Sequence, residues 1–257
     1  MSLKISVLGS GSSGNCTFVS TSKTRILLDA GLSRVQTGKR LSIIGESLEN
    51  IDGLILSHEH VDHVHGLGSL LAKQSIPLYI AEGTSEVIQP KPWNKIETIK
   101  AGHPFWLGDL KVSPFSIPHD AVDPLAFTFE AEGMKIAHIT DLGYMTELVR
   151  QRLRGCDIIV LESNHDLEML RVGSYPWFVK QRIMSRVGHL SNEMTGKFFS
   201  DEFDGQARYI VLAHLSENNN HPDIARFAVT QALEKKGFNL QNLLLASKDN
   251  PSTVIEV

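Results

Sequence analysis

The stretch that decides the fold is Ser-His-Glu-His-Val-Asp-His-Val-His-Gly, residues 57–66, which follows the apolar run Gly-Leu-Ile-Leu at residues 53–56. The apolar run predicts a short buried strand. The three imidazoles and one carboxylate that follow it, spaced as His-x-His-x-Asp-His, are His58, His60, Asp62 and His63. On a regular strand the first three would share one face and the last would point away. A tight loop at the end of the strand can instead turn all four toward common centres.

The chemistry of these four side chains indicates a metal site. Neutral imidazole and carboxylate groups are ligands for zinc, manganese and iron. Without a cation, so many polar groups directly after a buried strand would be costly to bury. The alternative interpretation is a solvated, histidine-rich turn, and the rest of the chain can be tested against the metal interpretation.

Length and composition exclude several classes of protein. A chain of 257 residues that is 42% hydrophobic and 21% charged is typical of a soluble globular protein, and we expect a single domain over residues 1–257. Its two cysteines are too few for a disulfide framework, which favours a reducing compartment such as the cytoplasm. No apolar run spans a bilayer, so no membrane partner is expected. The net charge of −4 gives no overall basic field for nucleic acid. A loop is predicted at Pro90-Lys91-Pro92.

Four further positions carry polar side chains at the ends of predicted strands. Asp29 ends the run from Thr24 and precedes Ala-Gly, and His119 follows the run from Lys111 to Ile117. The other two positions are Asp141, in Thr-Asp-Leu-Gly, and His214, which follows the run 208–213 and precedes Leu-Ser. A lone histidine or turn aspartate is weak evidence of a site, so these residues gain weight from their order in the chain.

Taken in order, the five motifs resemble those of the metallo-β-lactamase superfamily. The resemblance implies an α/β fold, a four-layer αββα sandwich of two packed mixed β-sheets flanked by helices. It also implies two divalent metal ions per chain, zinc or manganese, with iron possible. By this resemblance the residues of the first metal are His58, His60 and His119, those of the second are Asp62, His63 and His214, and Asp141 bridges both. Asp29 would support the His-rich loop from outside the ligand set.

Three shorter segments resemble one branch of that superfamily, the WalJ/YycJ type, a cousin of ribonuclease Z. The segments are Gly-Ser-Gly-Ser-Ser-Gly-Asn at 9–15, Gly-His-Leu-Ser-Asn at 188–192 and His-Leu-Ser-x-x-Asn at 214–219. The branch implies 5′-to-3′ exonuclease activity on DNA, carried out by a hydroxide that bridges the metals. The expected catalytic residues are then Asp62, at the metals, and His189, an outer-shell acid or phosphate contact. From its residues alone, the glycine-rich segment is interpreted as a flexible turn near the metal site, since it lacks the ending of a phosphate-binding loop.

The segment 167–187 is the densest mixture of basic and aromatic residues in the chain. Cations can contact phosphates and aromatic faces can stack on bases, which favours a nucleic acid partner. The preference for DNA over RNA is implied only by the resemblance to the WalJ/YycJ branch. The candidate phosphate contacts are Lys180, Arg182 and Arg186. The alternative is an amphipathic helix whose basic side chains are simply solvated.

The sequence therefore predicts a metal-dependent phosphodiester hydrolase, with a nuclease favoured. A phosphodiesterase for a small cyclic phosphate or nucleotide is the first alternative, because the net charge is acidic. Thioester hydrolysis is a weaker alternative. A non-catalytic binding protein that uses metal only to hold its fold is the weakest, since a structural site needs fewer ligands and no open position.

Overall fold

The computed structural model describes residues 2–73, 75–88 and 95–257, and these form two mixed seven-stranded β-sheets flanked by helices. The predicted fold class is thereby confirmed; the predicted loop at Pro90-Lys91-Pro92 lies outside the described residues. The strands of sheet 1 are β1 (Lys4–Gly9), β2 (Cys16–Ser20), β3 (Arg25–Leu28), β4 (Gly53–Ile55), β5 (Leu78–Ala81), β6 (Ile96–Ile99) and β14 (Ile255–Glu256). Those of sheet 2 are β7 (Phe105–Leu107), β8 (Leu110–Ser116), β9 (Leu125–Ala131), β10 (Met134–Ile139), β11 (Ile158–Glu162), β12 (Tyr209–Ala213) and β13 (Leu243–Leu245).

The strand order is β14-β1-β2-β3-β4-β5-β6 in sheet 1 and β13-β12-β11-β10-β9-β8-β7 in sheet 2. The helices of the described ranges are α1 (Arg34–Ile43), α2 (Val61–Val64), α3 (Leu67–Leu71), α4 (Glu82–Val87), α5 (Glu147–Leu153), α6 (Leu167–Val172), α7 (Trp177–Ile183), α8 (Asn192–Asp201) and α9 (Pro222–Lys235). Short 3₁₀ turns lie at Leu48–Asn50 and Leu240–Asn242. Across these ranges, no helix combines the length and the apolarity that crossing a membrane requires.

The chain divides into two compact units. Unit 1 comprises Met1–Ser116, Ala121–Met134 and Ser247–Val257, and unit 2 comprises Ile117–Asp120 and Lys135–Ala246. The single-domain organisation expected from the sequence stays a prediction.

Unit 1 contains sheet 1 and the antiparallel strands β7, β8 and β9. Sheet 1 begins with antiparallel pairs and continues in parallel from β3 to β6. Tyr79 of β5 stacks on Phe105 of β7 with ring centroids 5.2 Å apart, so sheet 1 packs face to face against these strands. Because β3 and β4 are parallel, the residues that follow them, Asp29 and Ser57, emerge at the same edge.

Unit 2 is built around the four parallel strands β10 to β13. Helices α5, α8 and α9 begin at residues that favour a helix start: Thr146 and Ser191 cap the first two, and Pro222 is the first residue of the third. Parallel strands bring their carboxyl ends to one edge of a sheet. Asp141, Glu162 and His214 therefore share that edge, since they lie at or just beyond the ends of β10, β11 and β12.

Candidate functional site

The His-rich loop of unit 1 is a tight turn between β4 and α2. His58 and His63 are buried, His60 is half-buried, and the rings of His58 and His60 lie 4.7 Å apart between centroids. The His58 and His63 rings are 4.1 Å apart. Gly66 allows this compactness, since a Cβ there would lie 1.8 Å from the carbonyl oxygen of Leu32. Within unit 1, the predicted ligands of the loop are thus gathered in one place.

Asp29 holds this loop through three hydrogen bonds. Its Oδ1 accepts from the backbone N–H of Ser57 at 2.8 Å. Its Oδ2 accepts from the hydroxyl of Ser57 at 3.0 Å and from Nδ1 of His63 at 2.8 Å. Because the Ser57 hydroxyl donates to Asp29, it accepts from Nδ1 of His58 at 2.9 Å. These are the contacts expected of a residue that supports the loop from outside the ligand set.

In unit 2, three predicted ligands meet at the ends of separate strands. Asp141 Oδ1 lies 3.8 Å from Nε2 of His119 and 3.5 Å from Nδ1 of His214. His119 follows β8, and its Nδ1 lies 3.2 Å from the carbonyl oxygen of Gly188, which accepts its hydrogen bond. The Asp141 and His119 segments are tied by a backbone hydrogen bond from Gly143 N to Pro118 O at 2.9 Å.

Glu162 organises the unit 2 group; from the sequence, either this residue or the neighbouring Asn164 could position other side chains, and no motif chooses between them. Its Oε1 accepts from Nδ1 of His189 at 2.9 Å and from Nδ1 of His214 at 2.7 Å. Its Oε2 accepts from the backbone N–H groups of Leu142 at 2.7 Å and Leu190 at 3.1 Å. Four donors thus satisfy a carboxylate that has no exposed surface. Asp141, Glu162, His189 and His214 together offer donor atoms that lie within 4.8 Å of one another.

The charges in this group shift pKa values in opposite directions. Burial alone raises the pKa of a carboxyl, but the charges and hydrogen bonds of His189 and His214 outweigh burial and lower the pKa of Glu162 to about 2. Burial alone lowers the pKa of an imidazole, but the carboxylate of Glu162 outweighs it and raises the pKa of His189 above its usual value. Glu162 is therefore ionised at neutral pH, and His189 holds its proton more tightly than an exposed histidine does.

Residues with a left-handed backbone conformation occur at the predicted site positions of both units. Among the described residues other than glycine, positive φ angles occur at Asp29 (64°), Glu132 (53°), Asp141 (58°) and His214 (55°). Such a conformation costs about 1–3 kcal/mol when the surroundings impose it. Glu132 lies in the turn between β9 and β10, where this conformation is ordinary. The other three are positions that the sequence motifs single out, and the strain is concentrated there.

The histidines fit a divalent cation, because their Nδ1 atoms are already engaged. Nδ1 of His63 faces Asp29, Nδ1 of His58 faces Ser57, Nδ1 of His214 faces Glu162 and Nδ1 of His119 faces Gly188 O. A proton on Nδ1 puts the acceptor lone pair on Nε2, which is the arrangement that outer-shell partners impose on metal-binding histidines. The donors are imidazole and carboxylate without sulfur, a set that suits zinc, manganese and iron.

The three predicted phosphate contacts lie in different surroundings, and the prediction for Lys180 needs correction. Lys180 is buried, and its Nζ donates to the carbonyl oxygens of Arg171 at 2.7 Å and Gly173 at 2.6 Å. It therefore holds the end of α6 and is not presented to a substrate. Arg182 is exposed but forms an ion pair with Asp120. Arg186 lies over the ring of Tyr144, 4.2 Å from its centroid.

The sequence assigned no specific contact to two residues of the site, for different reasons. Glu162 carries no motif signal, and only the parallel register of β10, β11 and β12 brings it to His189 and His214. Asn15 ends the glycine-rich segment, which the sequence suggested was flexible. The segment is instead bonded to the His-rich loop, with Asn15 Nδ2 2.9 Å from Asp62 Oδ2. Its glycines were the available signal, since they permit close backbone approach.

Comparisons with known proteins agree with the motifs. The sequence profile of the family described as "Beta-lactamase superfamily domain" matches residues 24–214. The exodeoxyribonuclease YycJ of Bacillus anthracis is 39% identical over 244 residues, which cover 93% of this chain and 92% of that protein. The exodeoxyribonuclease WalJ of Streptococcus pneumoniae is 35% identical over 236 residues, covering 90% and 88%.

A solved structure shows the same fold. The metallo-β-lactamase fold protein YhfI of Bacillus subtilis superposes with a TM-score of 0.76 at 18% identity, and the match covers 100% of both chains. At this identity the likeness supports the fold and not a shared reaction.

Proposed function

This chain belongs to the beta-lactamase superfamily, in the branch of YycJ and WalJ, and we propose that it is a metal-dependent nuclease that degrades DNA from the 5′ end. Exodeoxyribonucleases hydrolyse phosphodiester bonds. Both relatives have that name, and both align with this chain over most of their length. The structural observation that carries the proposal is the hydrogen bonding that four histidines have in common: His58, His63, His119 and His214. Each has Nδ1 in a hydrogen bond and hence its acceptor lone pair on Nε2.

The proposed ligands are those that the motifs predict. For the first ion these are His58, His60 and His119, for the second Asp62, His63 and His214, and Asp141 for both. When bound, two divalent ions would lower the pKa of a coordinated water and neutralise charge that develops on the phosphate oxygens. This assignment rests on the order of the motifs and on the hydrogen bonds within each unit.

His189 is proposed to donate a proton to the leaving oxygen. Its Nδ1 is anchored by Glu162, which fixes the ring and stabilises the protonated form. A positioned general acid contributes about a hundred- to ten-thousand-fold to rate. We therefore expect His189→Ala to reduce turnover on that scale while the metal content stays unchanged. Loss of metal together with activity would make His189 a ligand and would overturn its role as an acid.

The segment from α6 to His189 is proposed to guide the strand. Between Leu167 and Val187 there is one acidic residue, Glu168, against four basic ones, although the whole chain has a net charge of −4. Trp177 and Phe178 begin α7, and the two residues are 62% and 72% exposed. Exposed aromatic rings beside arginines suit stacked bases and phosphates. Arg182 and Arg186 remain the proposed phosphate contacts.

The test is a panel of end-labelled single- and double-stranded DNA and RNA, incubated with protein loaded with zinc or manganese. We expect 5′-labelled DNA to release labelled mononucleotide from the first turnover, and 3′-labelled DNA to give a descending ladder. Binding should weaken steeply as salt is added, because contacts to phosphates release counterions. If no substrate of the panel is cleaved with any divalent metal, the nuclease assignment is wrong.

A phosphodiesterase for small cyclic phosphates or nucleotides is the second candidate. One observation favours it: Lys180 is committed to backbone carbonyls and Arg182 to Asp120, so only part of the predicted basic surface is available to a polymer. Turnover of a cyclic nucleotide that is insensitive to salt, without cleavage of any oligonucleotide, would select this candidate.

A further inference from the structure

The glycine-rich segment 9–15 is bound tightly against the His-rich loop of unit 1. The backbone N–H of Asn15 donates to the carbonyl oxygen of Asp62 at 2.7 Å, and its carbonyl accepts from the N–H of Gly31 at 2.8 Å. The contact is too close for any side chain at Gly31, since a Cβ there would lie 1.7 Å from Asp62 O and 2.4 Å from Asn15 N. The backbone of Asn15 is therefore fixed beside two of the proposed ligands.

The side chain of Asn15 is fixed as well, and its orientation follows from its partners. The backbone N–H of Gly11 donates to Oδ1 of Asn15 at 2.9 Å. This places the amide nitrogen on the other side, 2.9 Å from Oδ2 of Asp62 and 3.0 Å from Nε2 of His63. An amide NH₂ has two protons, and without a cation it can donate to both acceptors; a bound cation would take the lone pair of Nε2 and leave the bond to Asp62. The reverse assignment would set the amide oxygen against a carboxylate and would lose both bonds.

We propose that Asn15 is a positioning residue for the metal ion assigned to Asp62 and His63, an inference that rests on the proposed function. Asp29 bonds Nδ1 of His63 and leaves Nε2 of that ring for the cation, while the amide of Asn15 holds Asp62 beside the same Nε2. By donating to one oxygen of Asp62, the amide sets the carboxylate plane. Because the amide is neutral, it leaves the negative charge of Asp62 for the cation.

Two substitutions distinguish two possible roles of Asn15: positioning the metal ligands and anchoring the segment 9–15. Asn15→Ala removes both donor and acceptor. Asn15→Asp keeps an oxygen for the N–H of Gly11 and replaces the donor by a carboxylate oxygen that faces Asp62. Ser13→Ala, at an exposed position in the same segment, is the matched control. Zinc binding is measured by calorimetric titration of the apoprotein, which gives an affinity for each equivalent, and the melting temperature is measured in chelator and in zinc.

In Asn15→Ala, we expect one zinc equivalent to bind about 10- to 100-fold more weakly, the usual effect of removing an outer-shell partner, while the other stays within about threefold of wild type. Asn15→Asp should melt lower than wild type in chelator, because two carboxylates then face each other. It should also gain more in melting temperature from zinc than wild type does, since a cation relieves that repulsion. Ser13→Ala should match wild type throughout.

Two results would overturn the inference. Unchanged affinity for both equivalents in Asn15→Ala would show that the amide does not act on the ion. An equal loss at both equivalents, with a lower melting temperature in chelator, would show that Asn15 only anchors the segment. A wild-type protein that binds no zinc or manganese would overturn the proposed function and this inference together, whereas normal wild-type binding with unaffected variants removes this inference alone.

Discussion

The two groups of predicted ligands are assembled in different ways. In unit 1 the group comes from one turn, and its support consists of neutral groups and a single carboxylate: Ser57, Asn15 and Asp29. In unit 2 the group comes from the ends of separate strands, and one buried carboxylate, Glu162, bonds two histidines at once. A contiguous motif carries its own geometry, whereas a group of distant residues depends on the register of a parallel sheet.

Removing one ligand from each group should have the largest effect. His58→Ala and His214→Ala should each reduce phosphodiester hydrolysis by at least about a thousandfold, because both groups are proposed to hold the ions that activate water. Hydrolysis of labelled DNA at saturating metal measures the effect. His103→Ala, at an exposed histidine of unit 1, is the control and should retain full activity. Full activity in either ligand variant would show that its group is dispensable.

The supporting carboxylates should differ in how much stability they carry. Glu162→Gln should lower the free energy of unfolding by about 3–5 kcal/mol, because an amide cannot accept from four donors and leaves buried groups unpaired. Asp29→Asn should cost less, about 1–3 kcal/mol, since fewer partners are affected. Denaturant titration in chelator gives both values. Glu168→Gln, at an exposed ion pair in unit 2, should change stability by under about 1 kcal/mol. Equal losses at Glu162 and Asp29 would remove the proposed difference between the groups.

Acid should act on unit 2 through Glu162. The pKa of Glu162 in the folded protein, about 2, is below the usual carboxyl value of about 4.3. At pH values between these two, the folded state therefore binds fewer protons than the unfolded state. The stabilisation is therefore present above about pH 4.3 and is lost as the pH falls toward 2. Between these limits wild type should lose about 2–3 kcal/mol more than Glu162→Gln does, as measured by denaturant titrations in chelator. If the free energy of unfolding falls equally with pH in wild type and Glu162→Gln, the lowered pKa of Glu162 is contradicted.

The backbone strain offers the smallest and cleanest comparison. His214→Gly should be more stable than His214→Ala by about 1 kcal/mol, because glycine accepts a positive φ without steric cost. Both variants lose the imidazole, so neither should be active. Glu132→Gly, at the left-handed turn position outside the site, should gain less than His214→Gly does relative to His214→Ala, and it should keep full activity. Thermal unfolding in chelator measures the differences. If His214→Ala is as stable as His214→Gly, the backbone there is not strained.

The sequence predicts unit 1 better than unit 2. The His-x-His-x-Asp-His spacing after an apolar strand was enough to expect the loop, and the aspartate before Ala-Gly was enough to expect its support. The fold class followed from the resemblance of five ordered motifs. In contrast, the role of Glu162 depends on which strands are neighbours, which no local pattern encodes.

The error at Lys180 has a local cause. A basic residue in a helix that carries other cations and aromatics suggests a solvated or substrate-facing side chain. Nothing in the spacing reveals that the carbonyl oxygens of Arg171 and Gly173, at the end of α6, lie within reach of that amine. Asn15 was overlooked in the opposite way, since its glycine-rich surroundings suggested flexibility where they permit close contact.

The central claim is that ligands from both groups hold two divalent ions that the hydrolysis requires. Elemental analysis of metal bound per chain, after dialysis and alongside activity, tests it most directly in wild type, His58→Ala and His214→Ala. The account predicts two ions per chain in active wild-type protein and fewer than two in each variant. Active wild-type protein without bound metal, or two ions retained in both variants, would contradict it.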